Sequence, residues 1–410
     1  ENFLSKAKWI DELKLKVSVG QQGNDGLNSS FYYANLYTLD ASGTYTMAPS
    51  FAQLGNKNIT WETTTNWNVG VEFRLFKGRL SGGIDFYNKF TKDQLFWLSI
   101  PESMGTRGYY GNLGDVRNRG VELSVNGVAI RSRKVEWNIY ANLSHNSNTV
   151  VSIPESKMID PENGYRGYTE DHKWIAEGTS MYTAFYPKYA GTNDKGEALY
   201  WIDDDLNGKT DRPGKNLSRT TTVYEDASYY TCGDMLPAVF GGFGTTLTAG
   251  VFDISMTFDY QIGGKVFDSR YQSLVGPTET AAGAGSNFHM DVLNAWTTTN
   301  TTTNMPRFYY GDKYANASSD RFLTSAGYLN FQSFTVGYTL PQKYAQKLMV
   351  KKLRVYCSGE NLAFISARKG LDPRYSYSGY GRDANGNVKS VVNNTYSPSR
   401  TVMWGLQVSF

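Results

Sequence analysis

A chain of 410 residues with 41 basic and 38 acidic side chains carries a formal charge of +3, too even a balance for a surface built to neutralise nucleic-acid phosphates. Aromatic residues make up 15% of it and glycines number 41, which excludes the aromatic-poor composition of a disordered segment. Mean hydropathy is negative and no apolar run approaches the roughly 18 residues that a membrane helix needs. Strands that alternate apolar and polar residues escape that exclusion, because their average is polar. Two cysteines, Cys232 and Cys357, are too few and too far apart for a disulfide framework or a zinc site, and read as structural thiols. The sequence opens at Glu1 with no basic n-region and apolar h-region, the pattern expected of a mature product or a fragment.

Taken in chain order, the dominant signal is period-two alternation, which puts successive side chains on opposite faces of a strand. A first strand is expected at about 12–20. In 66–76, Trp67, Val69, Val71, Phe73 and Leu75 share one face while Asn68, Gly70, Glu72 and Arg74 share the other. Further strands follow at about 79–90, 119–130, 135–145 and 240–249. In 252–261, Phe252, Ile254, Met256, Phe258 and Tyr260 oppose Asp253, Ser255, Thr257 and Asp259. The series closes with 327–340, 352–361 and a terminal segment in which Val402, Trp404, Leu406, Val408 and Phe410 alternate with smaller or polar residues. These ten segments are each near the 9–11 residues that a tilted strand needs to cross a bilayer core, whereas soluble strands run to about 5 or 6.

Connections between the segments alternate short and long. Short turns fall at 76–79, 130–136 and 248–252, with a longer one at 340–352; long connections occupy 21–60, 91–118, 146–239, 262–326 and 362–399. Membrane barrels are built this way, with tight turns on one side and long loops on the other. A further hairpin at about 182–190 and 197–202 would raise the count to twelve. The competing architecture is a large soluble β-protein such as a propeller or double sandwich. Against it, charge recurs mid-strand on the polar face (Glu72, Arg74, Asp85, Glu122, Asp253, Asp259), which suits a watery lumen better than a packed core. Trp61, Trp67, Trp137, Trp404 and Phe410 are expected at strand ends, as aromatic girdles. The expected fold class is therefore an all-β, transmembrane antiparallel β-barrel with about 10 to 12 strands in this chain.

Particular strings carry more. WETTTNWNVGVEFRLFKGRLSGGIDFYNKFTKDQL (61–95), GDVRNRGVELSVNG (114–127), the glycine-rich block at 241–274, SDRFLTSAGYLNFQSFTVGYTLP (319–341), KLRVYCSGENLAFISARKGLDPR (352–374) and the terminal YSPSRTVMWGLQVSF resemble the C-terminal barrel of SusC/RagA-type TonB-dependent transporters of the Bacteroidetes. The resemblance runs nearly end to end, beginning at WIDELKLKVSVGQQGNDG (9–26). It implies a 22-stranded barrel in the outer membrane, closed by an N-terminal plug preceded by a TonB box, of which residues 1–410 would be the C-terminal half. It also implies a SusD-like surface lipoprotein as lid, commonly in a dimer of transporter–lipoprotein pairs, TonB as energy source through the missing region, and lipid around the wall. Phe410 resembles the terminal aromatic read by the barrel-assembly machinery.

Catalytic patterns are sparse. His145, His172 and His289 lack ligand spacing, and there is no GxSxG, P-loop or GxGxxG leading into a helix. DDDLNGKTD (203–211) places Asp203, Asp205, Asn207 and Gly208 as the opening of a calcium loop, with Asp211 at the ninth position but Gly214 where a bidentate Glu belongs at the twelfth. Ca²⁺ and a solvated acidic turn are both open readings of it. The long loops are rich in tyrosine: Tyr109, Tyr110, Tyr182, Tyr189, Tyr229, Tyr230, Tyr309, Tyr310, Tyr375, Tyr377 and Tyr380. Sugar rings and peptides both pack on such faces, and Arg374, Asp372 and Asn393 offer hydrogen bonds. The expected substrate or lid contacts are Tyr109, Tyr110, Trp201, Tyr309, Arg374, Tyr375, Tyr377 and Tyr380, against the plainer reading that these side chains knit loops together. The expected activity is TonB-dependent import of a bulky nutrient, glycan or oligopeptide, with a passive porin and an outer-membrane hydrolase as the alternatives.

Overall fold

The computed structural model describes residues 7–26, 31–40, 48–100, 102–106, 108–112, 114–154, 167–205, 213–276, 287–374, 380–382, 388–390 and 398–410. Ten strands form one sheet: β1 (Ile10–Asn24), β2 (Glu62–Leu75), β3 (Leu80–Lys92), β4 (Asp115–Arg131), β5 (Val135–Ser152), β6 (Val239–Ala249), β7 (Phe252–Ile262), β8 (Tyr328–Thr339), β9 (Lys352–Ser366) and β10 (Thr401–Ser409). Each pairs antiparallel with its successor, so the order across the sheet is the order along the chain. β1 and β10 are not paired with each other, and the wall is an open arc with an edge at either end among the described residues.

The tight turns have a local cause. Phe76, Lys77 and Gly78 all take positive φ (57°, 58° and 71°), turning the chain between β2 and β3, and Gly250 does so at 61° between β6 and β7. The β8–β9 connection holds the short helix Gln342–Ala345. All these turns, Ile10 and Phe410 lie at one end of the wall, and the long connections lie at the other.

Several strands outrun their sequence signal. β4 and β5 have 17 and 18 residues; at about 3.3 Å per residue they reach well past a hydrocarbon core about 30 Å thick. The alternation fades in their upper parts, as in Asn146, Ser147 and Asn148 of β5, because above the bilayer both faces are wet and neither needs apolar side chains. For the same reason Trp67 lies inside β2 rather than at its start, and Trp404 sits mid-way along β10 with 78% of its surface exposed.

The outward face is apolar and open, with Leu15 at 68%, Val17 at 65% and Val19 at 75% exposed. Phe243, Phe258 and Phe331 form a stacked ladder across β6, β7 and β8, with centroids 4.9 and 4.5 Å apart. That face fits lipid: Val69→Arg, on the outward face of β2, is expected to destabilise the barrel in vesicles by about 2–4 kcal/mol, whereas the neighbouring lumenal Asn68→Arg is expected to change stability little. Unfolding titrations in lipid check both.

The buried apolar core lies in the connections instead. Trp174, Phe185, Tyr186, Tyr200, Tyr230, Phe267 and Phe322 are all at most 5% exposed. The hairpin expected at about 182–190 and 197–202 forms there only in part: Tyr189–Thr192 pairs with Ala198–Ile202, which pairs with Arg219–Thr221. Thr183–Pro187 joins a second loop sheet with Gly167–Glu170, Lys173–Ala176 and Tyr229–Asp234. Neither sheet enters the wall, which stays at ten strands among the described residues; Ala184 and Tyr186 pack on Phe267, Val275 and Phe322, and Ala198 and Tyr200 on Tyr314 and Ala317. Among the described residues no helix is long and apolar enough to cross a membrane.

Candidate lumenal and loop site

The inward face of β1 to β5 lines a polar cavity of about 660 Å³, with Lys16, Asn68, Asp85, Tyr87, Glu122 and Asn146 among its walls. Lys16 bridges Glu72 at 2.9 Å and Asp85 at 3.1 Å, while Lys14 meets Glu72 at 3.4 Å and Arg74 meets Glu12 at 3.4 Å. Glycines in the intervening strands make such reaches possible. Lys16 and Asp85 both stand opposite Gly70, where an added Cβ would lie 2.0 Å from the Asp85 carboxylate. Tyr87 crosses Gly120 so that its hydroxyl donates to Asn146 Oδ1 at 3.0 Å, and Tyr140 crosses Gly244 to reach the Thr257 hydroxyl at 2.9 Å. Arg354 and Asp253 pair over Gly337 in the same manner. These four glycines clear lanes in which long polar side chains lie flat against the wall and reach across neighbouring strands.

Above the wall the loop sheets form a roof. Arg321 is its central cation: Nη1 donates to the Ala315 carbonyl at 3.0 Å, and the guanidinium lies 5.1 Å from the Tyr189 ring and 5.2 Å from the Phe322 ring. Burial pushes its pKa down, countered by the surrounding tyrosines. Burial likewise pushes the Tyr189 hydroxyl up to about 12 and the Cys232 thiol up to about 11, and the Cys232 Sγ lies 3.3 Å from the Tyr230 carbonyl. A second junction joins two connections. Arg368, just beyond β9, pairs with Asp268, whose side chain is 4% exposed, and lies 4.4 Å from the Tyr271 ring. Asp268 also caps the helix Ser269–Val275 by accepting the Tyr271 N–H at 2.8 Å.

The expected contact residues separate into several places. Tyr110 packs between Tyr32 at 4.3 Å and Trp97 at 5.1 Å, and Tyr109 packs on the buried cluster of Val150, Ile153 and Ile175. Trp201 lies half-buried in its loop strand, its backbone N–H donating to the Lys188 carbonyl at 2.9 Å. Tyr309 is 61% exposed, with Arg307 5.1 Å from its ring. Arg374 is bound bidentately by Asp372 (2.9 and 2.8 Å) and lies 4.7 Å from the Phe364 ring. Tyr380 is in the short strand Tyr380–Arg382; Tyr375, Tyr377 and Asn393 lie outside the described residues. Among the described residues, the expected contacts are therefore not gathered into one cluster. Phe410 stands at the short-turn end, 82% exposed.

Asp203 is a loop clamp. Its Oδ1 accepts the Asp205 N–H at 3.0 Å, and its Oδ2 accepts those of Lys215 at 2.7 Å and Asn216 at 2.9 Å. Asp204 pairs with Arg219, and Asp205 accepts from the Asn216 side chain at 2.5 Å. These oxygens face N–H donors and do not fit a cation cage; Asn207 and Asp211, the other two expected ligands, lie outside the described residues. Burial raises the Asp203 carboxyl, but the three N–H bonds outweigh it and hold the pKa below 3.8. The clamp is thus complete above that pH and is lost as pH falls through the lower folded-state value. Asp203→Asn is expected to speed amide exchange at Lys215 and Asn216 by about tenfold at neutral pH, read by hydrogen exchange.

Sequence reasoning missed Arg321, Arg368 and Asp268. Arg368 and Asp268 are 100 residues apart and Arg321 lies further still from Tyr189, and no local spacing announces a contact of that kind.

An antiparallel arc that is apolar outside, polar inside and roofed by its own long connections defines a stretch of transmembrane β-barrel wall. Residues 6–362 match the family "TonB dependent receptor-like, beta-barrel", and the chain belongs to it. It is 27% identical to the TonB-dependent receptor P3 of Formosa agariphila and 26% identical to the TonB-dependent receptor SusC of Bacteroides thetaiotaomicron, in both cases over 100% of this chain. It covers 40% and 39% of those proteins, so it spans about two-fifths of the curated relatives it matches. Among solved structures, the RagAB peptide transporter superposes over 100% of this chain and 42% of its own, with a TM-score of 0.76 and 24% identity; a closed-closed RagAB peptide importer gives 0.77 and 24% over the same shares. These likenesses show the fold. The family is one of receptors and transporters, not enzymes, which sets the hydrolase alternative aside.

Proposed function

We propose that this chain is the C-terminal part of an outer-membrane barrel that imports a bulky nutrient, glycan or oligopeptide, energised through TonB and lidded by a SusD-like surface lipoprotein, as a dimer of such pairs. The observation that carries this reading is the continuity of a polar lumenal wall with a structured loop roof: substrate held above has a hydrated, charge-lined path below. The kinship with SusC and the fold shared with RagAB support it. Phe410 serves as the exposed terminal aromatic for barrel assembly. A porin made of this chain alone is disfavoured by the two open edges, since each unpaired backbone group facing hydrocarbon costs several kcal/mol. Strands from elsewhere in the protein close the arc. The test is purification from outer membranes in mild detergent with mass spectrometry of every polypeptide retained, alongside uptake in a TonB-deficient strain. A plug-bearing portion and a surface lipoprotein should co-purify, with uptake lost without TonB; a lone conducting barrel would return the porin reading.

A further inference from the structure

The short-turn end of the wall carries a charge that the rest of the chain does not share. The β2–β3 turn holds Lys77 and Arg79, and the β4–β5 turn holds Arg131, Arg133 and Lys134. The β8–β9 connection adds Lys343, Lys347, Lys351 and Lys352. Across 76–80, 131–135 and 340–352 there are thus nine basic side chains and no acidic one, so the remainder of a +3 chain is net negative. All nine are exposed, and none has an ion-pair partner among the described residues. Backbone bonds tie the turns into one rim: the Val128 N–H donates to the Arg79 carbonyl at 2.7 Å, the Gly250 N–H to that of Lys134 at 2.7 Å, and the Thr339 N–H to that of Val251 at 2.8 Å. Like charges fixed along a rim repel one another unless anions lie against them.

Two further features set this rim at a membrane surface. Large aromatics close the strands beside it: Trp9 stacks on Phe76 at 5.9 Å, and Phe252 lies 5.2 Å from Tyr338. Such a belt marks the boundary between hydrocarbon and headgroups, so the long basic side chains of the turns reach the level of the phosphates. The β8–β9 connection is also amphipathic. Tyr344, Leu348 and Met349 are 53%, 57% and 89% exposed beside the exposed Lys343 and Lys347, and Met349 takes a φ of 56°. A methionine displayed on a left-handed residue at a turn tip is out of place in water. Between lysines at a bilayer surface it sinks into the acyl boundary while the ammonium groups stay wet.

We propose that the short-turn rim is a binding surface for anionic phospholipid headgroups, their phosphodiesters held by the turn lysines and arginines while Tyr344, Leu348 and Met349 enter the acyl boundary. The proposal goes beyond import and rests only on the membrane-barrel part of that reading. The test reconstitutes the full-length transporter with its lipoprotein into vesicles of equal parts phosphatidylcholine and phosphatidylglycerol, re-extracts it in mild detergent and measures the retained lipid by mass spectrometry. Phosphatidylglycerol should be retained over phosphatidylcholine by about tenfold at low salt, and the preference should fall as salt rises. Two triple variants, Arg131→Gln with Arg133→Gln and Lys134→Gln, and Lys343→Gln with Lys347→Gln and Lys351→Gln, should each cut it by about threefold or more. They alter exposed turns in different places, so one stays informative if the other does not fold, and gel mobility of the assembled barrel reports folding. Lys195→Gln with Lys313→Gln and Lys369→Gln removes the same charge from the long connections and should leave the preference unchanged. Equal retention of the two lipids, or an equal loss of preference in all three variants, overturns the surface. So does an acidic polypeptide held by these cations with no lipid preference. A protein that enters no vesicle overturns the barrel reading itself, and the rim proposal with it.

Discussion

Arg368→Ala is expected to loosen the roof of the barrel more than any other single truncation in the loops. Arg368 is the charge partner of an Asp268 carboxylate that keeps only 4% of its side-chain surface. Removing the guanidinium leaves that carboxylate buried with the Tyr271 N–H as its remaining strong donor, and breaking a buried pair from one side costs about 3–5 kcal/mol. Because Arg368 follows β9 and Asp268 precedes the helix Ser269–Val275, the lost pair uncouples two long connections. The strain should relax locally, and hydrogen exchange should show raised rates across 265–275 and 366–374 while β4 and β5 stay protected. The double replacement Asp268→Asn with Arg368→Met removes both charges and should recover most of the protection; equal loss in the single and double variants would show that the pair does not hold the roof.

Gly120→Ala should be the most damaging methyl group that can be added to β4. An added Cβ would lie 2.4 Å from the Tyr87 ring and 2.5 Å from the His145 carbonyl, and the second of these is backbone that a rotamer change does not move. The strand must shift or Tyr87 must leave Asn146, at about 1–3 kcal/mol for overpacking plus the lost hydrogen bond. Gly127 in the same strand is the internal control: its added Cβ would meet nothing nearer than 3.9 Å, so Gly127→Ala should be neutral or slightly stabilising. The folded fraction of each variant after heating, read by gel mobility of the assembled barrel, separates them. Equal behaviour of the two would mean that the wall adapts and that lane glycines are not required.

The wall was legible because lipid imposes its demand on every second residue. Val69, Val71 and Phe73 announce β2, and the same alternation marks β7 from Phe252 to Tyr260. Where the demand stops, legibility stops: the upper reach of β5 around Asn146 and Asn148 is strand by pairing with β4, not by pattern. Around 182–190 and 197–202 the alternation announces a hairpin but neither its register nor its place in the roof, since apolar alternation looks alike whether lipid or another loop covers it. The spacing around Asp203 leaves a calcium loop and a solvated acidic turn both open, and in the fold its oxygens accept from N–H groups of its own loop.

By itself, then, the sequence determined the ten alternating wall segments, the in–out assignment of the residues that alternate within them and, through its long strings, the family resemblance, because these follow from pattern and composition that act residue by residue. The tertiary structure alone decided which glycines are lanes for Lys16, Tyr87 and Tyr140, which arginines are neutralised and by whom, and which tyrosines are packed rather than free. Apart from the local Arg374–Asp372 pair, those are contacts between residues far apart in the chain, and they arise only once strand register and loop return have brought the partners within a few ångströms.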